Sequence, residues 1–199
     1  MNQLRAMKVV GLDLDDVLLA TNDAMCRWHN RVYGTTYTRK DIVSWDLTKI
    51  WHCTFDEMLS RIHEYYASPE HDETLAFKGA IEGIEILGEE KEYHIITSRP
   101  GEMHGKTMSL VQKYFPPLIE SVHFTSQVVE GHAQSRKKEH VCLELGVQVY
   151  IEDNLDYARN VASVGIPVLL FDTPWNQTND LPENVTRVHS WDEIVETLM

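Results

Sequence analysis

The chain has 199 residues, 43% hydrophobic and 25% charged, which is the composition of one good-sized globular domain with an insertion, or of two small ones. No apolar run approaches the roughly 20 residues of a membrane span, and the opening "MNQLRAMKVV" has no apolar core of signal-peptide length, so the reading is a cytoplasmic protein without membrane contact. A net charge of −13 argues against a nucleic-acid polymer as partner, but not against a small anion held by a metal ion and one or two lysines.

In chain order, "KVVGLDL" (8–14) reads as a buried strand. Residues 20–76 follow, far more chain than one crossover helix needs. "NDAMCRWHNRVYG" puts Met25, Trp28 and Val32 on one helical face, and "TFDEMLSRIHEYY" opens with Thr54 and Glu57 as a capping box. "GAIEGIEILGEE" (79–90) predicts the next helix, "YHIIT" (93–97) a strand, and "GKTMSLVQKYF" (105–115) a helix stopped by Pro116 and Pro117. "SVHFTS" (121–126) is a weaker strand. "SRKKEHVCLELG" (135–146) predicts a helix ending at Gly146, "VQVYIED" (147–153) a strand, and "NLDYARNVASVG" (154–165) a helix ending at Gly165. "PVLLFD" (167–172) is the last strand, and "SWDEIVETLM" opens with Ser190 and Glu193 as a helix start.

Strands alternating with helices predict an α/β fold, a doubly wound and mostly parallel sheet built on right-handed crossovers. The core is expected over 1–19 and 77–199, with 20–76 a small helical cap inserted after the first strand. Such an insert stands over the carboxyl ends of the strands, where open α/β sheets bind ligands. The three cysteines, Cys26, Cys53 and Cys142, are widely spaced and read as reduced thiols. The ten histidines form no ligand pair.

Four strand-end motifs carry chemistry. Asp13 and Asp15 lie two apart and share a strand face, and Asp16 begins the exit loop. Like charges this close raise one another's pKa, which suits a nucleophile beside a general acid. A solvated acidic turn fits poorly between "VVGL" and "VLL". Thr97 and Ser98, followed by Arg99, end the second strand with hydroxyls and N–H groups able to hold phosphate oxygens. Lys137 and Lys138 stand near a helix start, where cations are disfavoured and a functional reason is worth asking for. Glu152 and Asp153 end a later strand, where Asp153 would serve as a helix N-cap, as a metal ligand, or as both. Acidic groups from two strand ends with no cysteine or histidine cluster favour Mg²⁺. Mg²⁺ with a lysine and hydroxyl donors is a phosphate-handling set.

These motifs, Asp13-Leu14-Asp15, Thr97-Ser98, Lys138 and Glu152-Asp153 in that order, resemble the haloacid dehalogenase superfamily over residues 8–172. The DxD form is similar to its phosphatases. The helical insert, "WDL" at 45–47 and "KGAIEGIEIL" are similar to the 5'(3')-deoxyribonucleotidases. Asp16 stands where that family usually has glycine, and Arg99 follows the Thr-Ser pair. The resemblance implies Asp13 as nucleophile and Asp15 as acid–base. It implies Mg²⁺ on Asp13, the Asp15 carbonyl and Asp153, with Glu152 the less certain member. Thr97, Ser98 and Lys138 would hold the phosphate, Lys138 being preferred to Lys137 on the family's spacing.

The expected activity is that of a Mg²⁺-dependent phosphomonoesterase acting through an aspartyl-phosphate, with a nucleoside monophosphate as leading substrate. Trp28, Tyr33, Trp45, Trp51, Phe55, Tyr65 and Tyr66 offer stacking faces for a base, although most should be the cap's own core. Small sugar phosphates are the alternative, with Asn22, Asp46 and His52 as polar cap residues. A non-catalytic phosphate-binding module could lose Asp15, which this chain keeps. A receiver domain would be shorter and lack the insert. The sequence leaves room for a homodimer.

Overall fold

The computed structural model describes residues 2–129 and 132–199. Among these the strands are β1 (Val9–Leu12), β2 (Glu92–Pro100), β3 (Ile119–Val129), β4 (His132–Ser135), β5 (Val149–Glu152), β6 (Val168–Phe171) and β7 (Val185–Val188). The helices are α1 (Asn2–Arg5), α2 (Thr21–Tyr33), α3 (Leu47–Trp51), α4 (Phe55–Tyr66), α5 (Pro69–Asp72), α6 (Ala80–Leu87), α7 (His104–Tyr114), α8 (Lys138–Leu145), α9 (Leu155–Ser163) and α10 (Trp191–Leu198).

One sheet runs in the order β4-β3-β2-β1-β5-β6-β7. All its pairings are parallel except β3 with β4 at the edge. The chain builds outward from β1 in one direction through β2 and β3, and in the other through β5, β6 and β7. The order therefore reverses beside β1, and a ligand crevice opens at the carboxyl ends of β1 and β5. Register sets what meets there. Leu12 pairs with Ile95 on one side and Ile151 on the other, so the residues just beyond, Asp13 and Glu152, come together.

Alternation along each buried strand feeds two cores. Val10, Leu12, Ile95, Val149 and Ile151 face α6, α7 and α10 through Ile84, Leu110 and Ile194. Ile96, Tyr150, Val168 and Leu170 face α8 and α9 through Val141, Ala158 and Val161. Gly11 is needed on the second face, because a Cβ there would sit 2.6 Å from Tyr150 Cδ2.

The helices α2 to α5 rise between β1 and β2 around their own apolar cluster of Ala24, Met25, Trp28, Ile42, Leu47, Trp51, Met58 and Tyr65. Chain leaves and returns through neighbouring residues. Ala20 N–H donates to the Leu75 carbonyl at 2.9 Å and Phe77 N–H to the Leu18 carbonyl at 2.7 Å.

Several elements differ from the sequence reading, which expected neither β4 nor β7. The helix expected from 135 starts at Lys138, because Ser135 is paired with Ser126 as the end of β4. Cross-strand bonds outweigh local helix preference there. The strand β7, "VTRV", has two outer residues buried and two inner ones not, too short an apolar signal to stand out.

Candidate active site

Asp13 follows β1 directly, and its backbone N–H extends the ladder to the Ile151 carbonyl at 2.9 Å. Lys138, at the start of α8, is 2% exposed and reaches under it. Its Nζ donates to Asp13 Oδ1 at 2.6 Å and to Glu152 Oε2 at 2.8 Å. Glu152 Oε1 accepts the N–H groups of Asp153 at 3.1 Å and Asn154 at 3.0 Å. Both oxygens of Glu152 are thus occupied by donors. Lys137 points away, its side chain 70% exposed, so of the lysine pair only Lys138 joins the acids.

Asp13, Glu152 and Asp153 each offer an oxygen within 4.8 Å of the others, and all three are buried. Two of the three, Asp13 and Glu152, share the Lys138 ammonium. Burial, together with the Glu152 charge, lifts Asp13 to about 7 despite Lys138. Burial, with the charges of Glu152, Asp13 and Asp16, lifts Asp153 well above the usual carboxylate range despite Lys138. Burial works against the charge on Lys138, but Asp13 and Glu152 outweigh it and hold the ammonium protonated. The surplus negative charge and the all-oxygen donor set fit a hard divalent cation such as Mg²⁺.

Asp15, two residues on, meets the opposite surroundings. Arg99 Nε donates to its two oxygens at 3.1 and 3.0 Å, and Nη2 donates to Oδ1 at 2.6 Å. The Thr21 hydroxyl donates to the same Oδ1. Burial would raise this carboxyl, but the Arg99 charge and hydrogen bonds win and hold it below the ordinary value. Asp13 is thus raised chiefly by burial and Glu152, with Asp15 adding less, while Asp15 itself is lowered, so the expected mutual raising of the two aspartates does not set the pattern. Arg99 is itself fixed from behind by the Thr107 hydroxyl at 3.3 Å.

Asp16 adopts φ +58°, the left-handed region that explains why glycine suits this position. Aspartate tolerates it, and the side chain is put to use. Its oxygens accept from Asn22 Nδ2 at 2.7 Å and from Arg39 Nη1 at 2.6 Å, which ties the cap to the strand end.

The crevice above these groups has a volume of about 360 Å³. Asp13, Asp15, Ser98, Arg99 and Asp153 line its sheet side. Met25, Trp45, Leu47, Met58, Ile62, Tyr65 and Tyr66 line its cap side. Thr97 is fully buried, its hydroxyl accepting the Arg99 N–H at 3.1 Å, so Ser98 rather than Thr97 fronts the space. Of the seven cap aromatics, Trp45, Tyr65 and Tyr66 reach the crevice, whereas Trp28 and Trp51 are cap core. Of the polar cap candidates only Asn22 lines it, and its amide is spent on Asp16. Asp46 is engaged with Thr48 and Lys49. The motifs did not point to Thr21, Arg39 or Trp175. The available signal for Trp175 was its place just after a strand's carboxyl end, in "FDTPWNQ".

A family model described as "5' nucleotidase, deoxy (Pyrimidine), cytosolic type C protein" matches residues 7–199. A nucleotidase of Clostridium acetobutylicum is 26% identical over 165 residues, covering 83% of this chain and 80% of its own. Among solved structures, a haloacid dehalogenase-like hydrolase of Streptococcus pneumoniae superposes with a TM-score of 0.69 at 13% identity, covering 97% of this chain and 99% of that one. The Bacillus subtilis chain YfnB, in a structure described as bound to magnesium, superposes with a TM-score of 0.61 at 14% identity, covering 96% and 98%.

Proposed function

The chain belongs to the family of 5' nucleotidases, deoxy (pyrimidine), cytosolic type C, within the haloacid dehalogenase hydrolases, and from that premise we propose a Mg²⁺-dependent phosphomonoesterase specific for nucleoside monophosphates. The observation that carries the reading is the pairing of a charged strand-end cluster, Asp13 with Lys138 and Asp153, with an uncharged cap wall across a single crevice.

Asp13 is the nucleophile. One of its carboxylate oxygens attacks phosphorus, the bond from phosphorus to the ester oxygen breaks, and an aspartyl-phosphate forms. Asp15 gives a proton to the departing alkoxide, then takes one from the water that attacks the aspartyl-phosphate, releasing phosphate and restoring Asp13. While Arg99 grips it, Asp15 is ionised and suited to the second task. For the first it must carry a proton, which the Arg99 contact opposes.

Mg²⁺ would be held by Asp13, the Asp15 carbonyl and Asp153, and when bound it neutralises charge on the phosphoryl oxygens. Glu152, with its oxygens already taken by Lys138 and two backbone N–H groups, supports the lysine rather than the cation. Lys138 and the Ser98 hydroxyl hold the phosphoryl group. Thr97 supports them from beneath, fixing the Arg99 backbone.

The apolar wall disfavours sugar phosphates, whose hydroxyls would lie against Met25, Leu47, Met58 and Ile62 without partners. A base stacked on Trp45, Tyr65 or Tyr66 gains about 1–3 kcal/mol per ring. The test is kcat/KM for nucleoside 5'- and 3'-monophosphates beside sugar phosphates and an aryl phosphate, with Mg²⁺ and with EDTA. Nucleotides should lead, and EDTA should silence all substrates. A lead for sugar phosphates would overturn the nucleotidase reading and leave the Asp13 chemistry intact.

A further inference from the structure

Trp175 sits in the loop between β6 and β7 and touches both halves of the molecule. Its indole N–H donates to Asp153 Oδ2 at 2.8 Å. Its ring packs on the apolar cluster of the cap. There Trp45 meets it edge-on, with centroids 5.4 Å apart and planes at 62°. The Arg39 guanidinium lies 4.9 Å from its centroid while bonding Asp16.

The neighbouring residue anchors the loop. Asn176 Nδ2 donates to the Asp153 carbonyl at 2.7 Å and to the Phe171 carbonyl at 2.6 Å, and its Oδ1 accepts from Arg187 Nη1 at 2.7 Å. Main chain and side chain of Asp153 are therefore both held by residues 175 and 176.

An aspartate carboxylate turns easily about χ2. The indole N–H is a donor only, so it satisfies one carboxylate oxygen and fixes the plane of the other. Asp153 Oδ1 has no hydrogen-bond partner among the described residues. We infer that Trp175 is a positioning residue for the cation, committing Oδ2 of Asp153 to the indole and presenting Oδ1 to the metal, in linkage with the cap through Trp45 and Arg39. This rests on the Mg²⁺ site proposed above. Because the same ring belongs to the cap contact, cation binding and cap docking strengthen each other reciprocally.

Trp175→Phe keeps a ring against Trp45 and Arg39 and removes the donor. Mg²⁺ is titrated into EDTA-stripped, dialysed protein by calorimetry, and Tm is measured in EDTA and in excess Mg²⁺. Kd for Mg²⁺ should rise about 10-fold or more, with Tm in EDTA little changed. In assays the Mg²⁺ concentration for half-maximal rate should rise, while kcat at saturating Mg²⁺ recovers. Trp45→Ala, which leaves the indole donor in place, should weaken Mg²⁺ by a smaller factor, and unchanged affinity there overturns the link to the cap. An unchanged Kd in Trp175→Phe, or a lower Tm in EDTA with the Mg²⁺ shift intact, overturns the positioning role and makes Trp175 a packing residue. Asp153→Asn separates the two levels. A parent protein that binds Mg²⁺ no better than this variant overturns the metal site itself, and this inference with it.

Discussion

On the sheet side of the crevice, Asp13, Lys138 and Glu152 come from three different strand and helix ends and are linked at 2.6 and 2.8 Å. On the cap side, Met25, Leu47, Met58 and Ile62 come from one inserted stretch and carry no charge. The sheet side is specified bond by bond, so removing one member strands the others. The cap side is specified only by shape and apolarity, so it tolerates change at the cost of selectivity. On the function proposed above, chemistry and choice of substrate would fall on separate parts of the chain.

Asp13→Asn should sharpen the contrast most. The near-isosteric amide cannot form the phospho-intermediate, so phosphate release should fall by about 10³-fold or more, while circular dichroism shows the fold retained. Retained turnover would remove Asp13 from the nucleophile role. Next is Lys138→Met, which leaves two buried carboxylates without their shared cation and should cost about 3–5 kcal/mol in denaturant unfolding. Lys137→Ala, on the exposed neighbour, should stay within about 0.5 kcal/mol. Equal losses would show that the pair is not divided as described.

A third test uses pH. A carboxyl at about 7 in the folded chain and near 3.8 unfolded binds its proton more tightly when folded. Between those values the folded state holds more protons, so stability in EDTA should fall as pH rises from about 4 to about 7. Asp15, depressed by Arg99, works the other way, its contribution present above its unfolded pKa and lost on further acidification. Melts across pH 5 to 8 should show this slope in EDTA, to which Asp16 and Asp153, also raised, contribute, and both excess Mg²⁺ and Asp13→Asn should reduce it. A slope unchanged by either would mean that another group sets it. On the cap side, Trp45→Ala should lower kcat/KM for nucleotides about 10-fold, the value of roughly 1.4 kcal/mol of stacking, while sparing a small aryl phosphate. Phe55→Ala, on a cap aromatic 63% exposed and outside the crevice, should change neither.

The parts of this design that showed in the sequence were the local ones. Asp13 was visible because an apolar strand runs straight into it, although β1 ends at Leu12 and Asp15 lies in the turn beyond, so no strand face is shared; α9 was visible because its apolar face and its terminal glycine are close in the chain. The grip of Arg99 on Asp15 spans 84 positions, and Trp175 reaches 22 positions back to Asp153. Nothing in spacing reveals such pairs, since they depend on which strand ends the topology makes neighbours. Thr97 is the opposite case. Its residue type suited a phosphate ligand, yet a one-residue difference along β2 turns its hydroxyl inward and puts Ser98 on the crevice. The edge strand β4 was hidden for a similar reason, since its pairing partner, not its own sequence, makes it extended.

The narrow neck at Leu18–Ala20 and Leu75–Phe77 has an evolutionary consequence. Because the inserted helices begin and end on residues already hydrogen-bonded to each other, a replacement of another length would meet the same two anchor points. Closing a longer loop adds only about 0.6 kcal/mol per doubling. On the proposed division of roles, exchange of the insert at this neck would change ligand preference while leaving the aspartate-bearing strand ends in place.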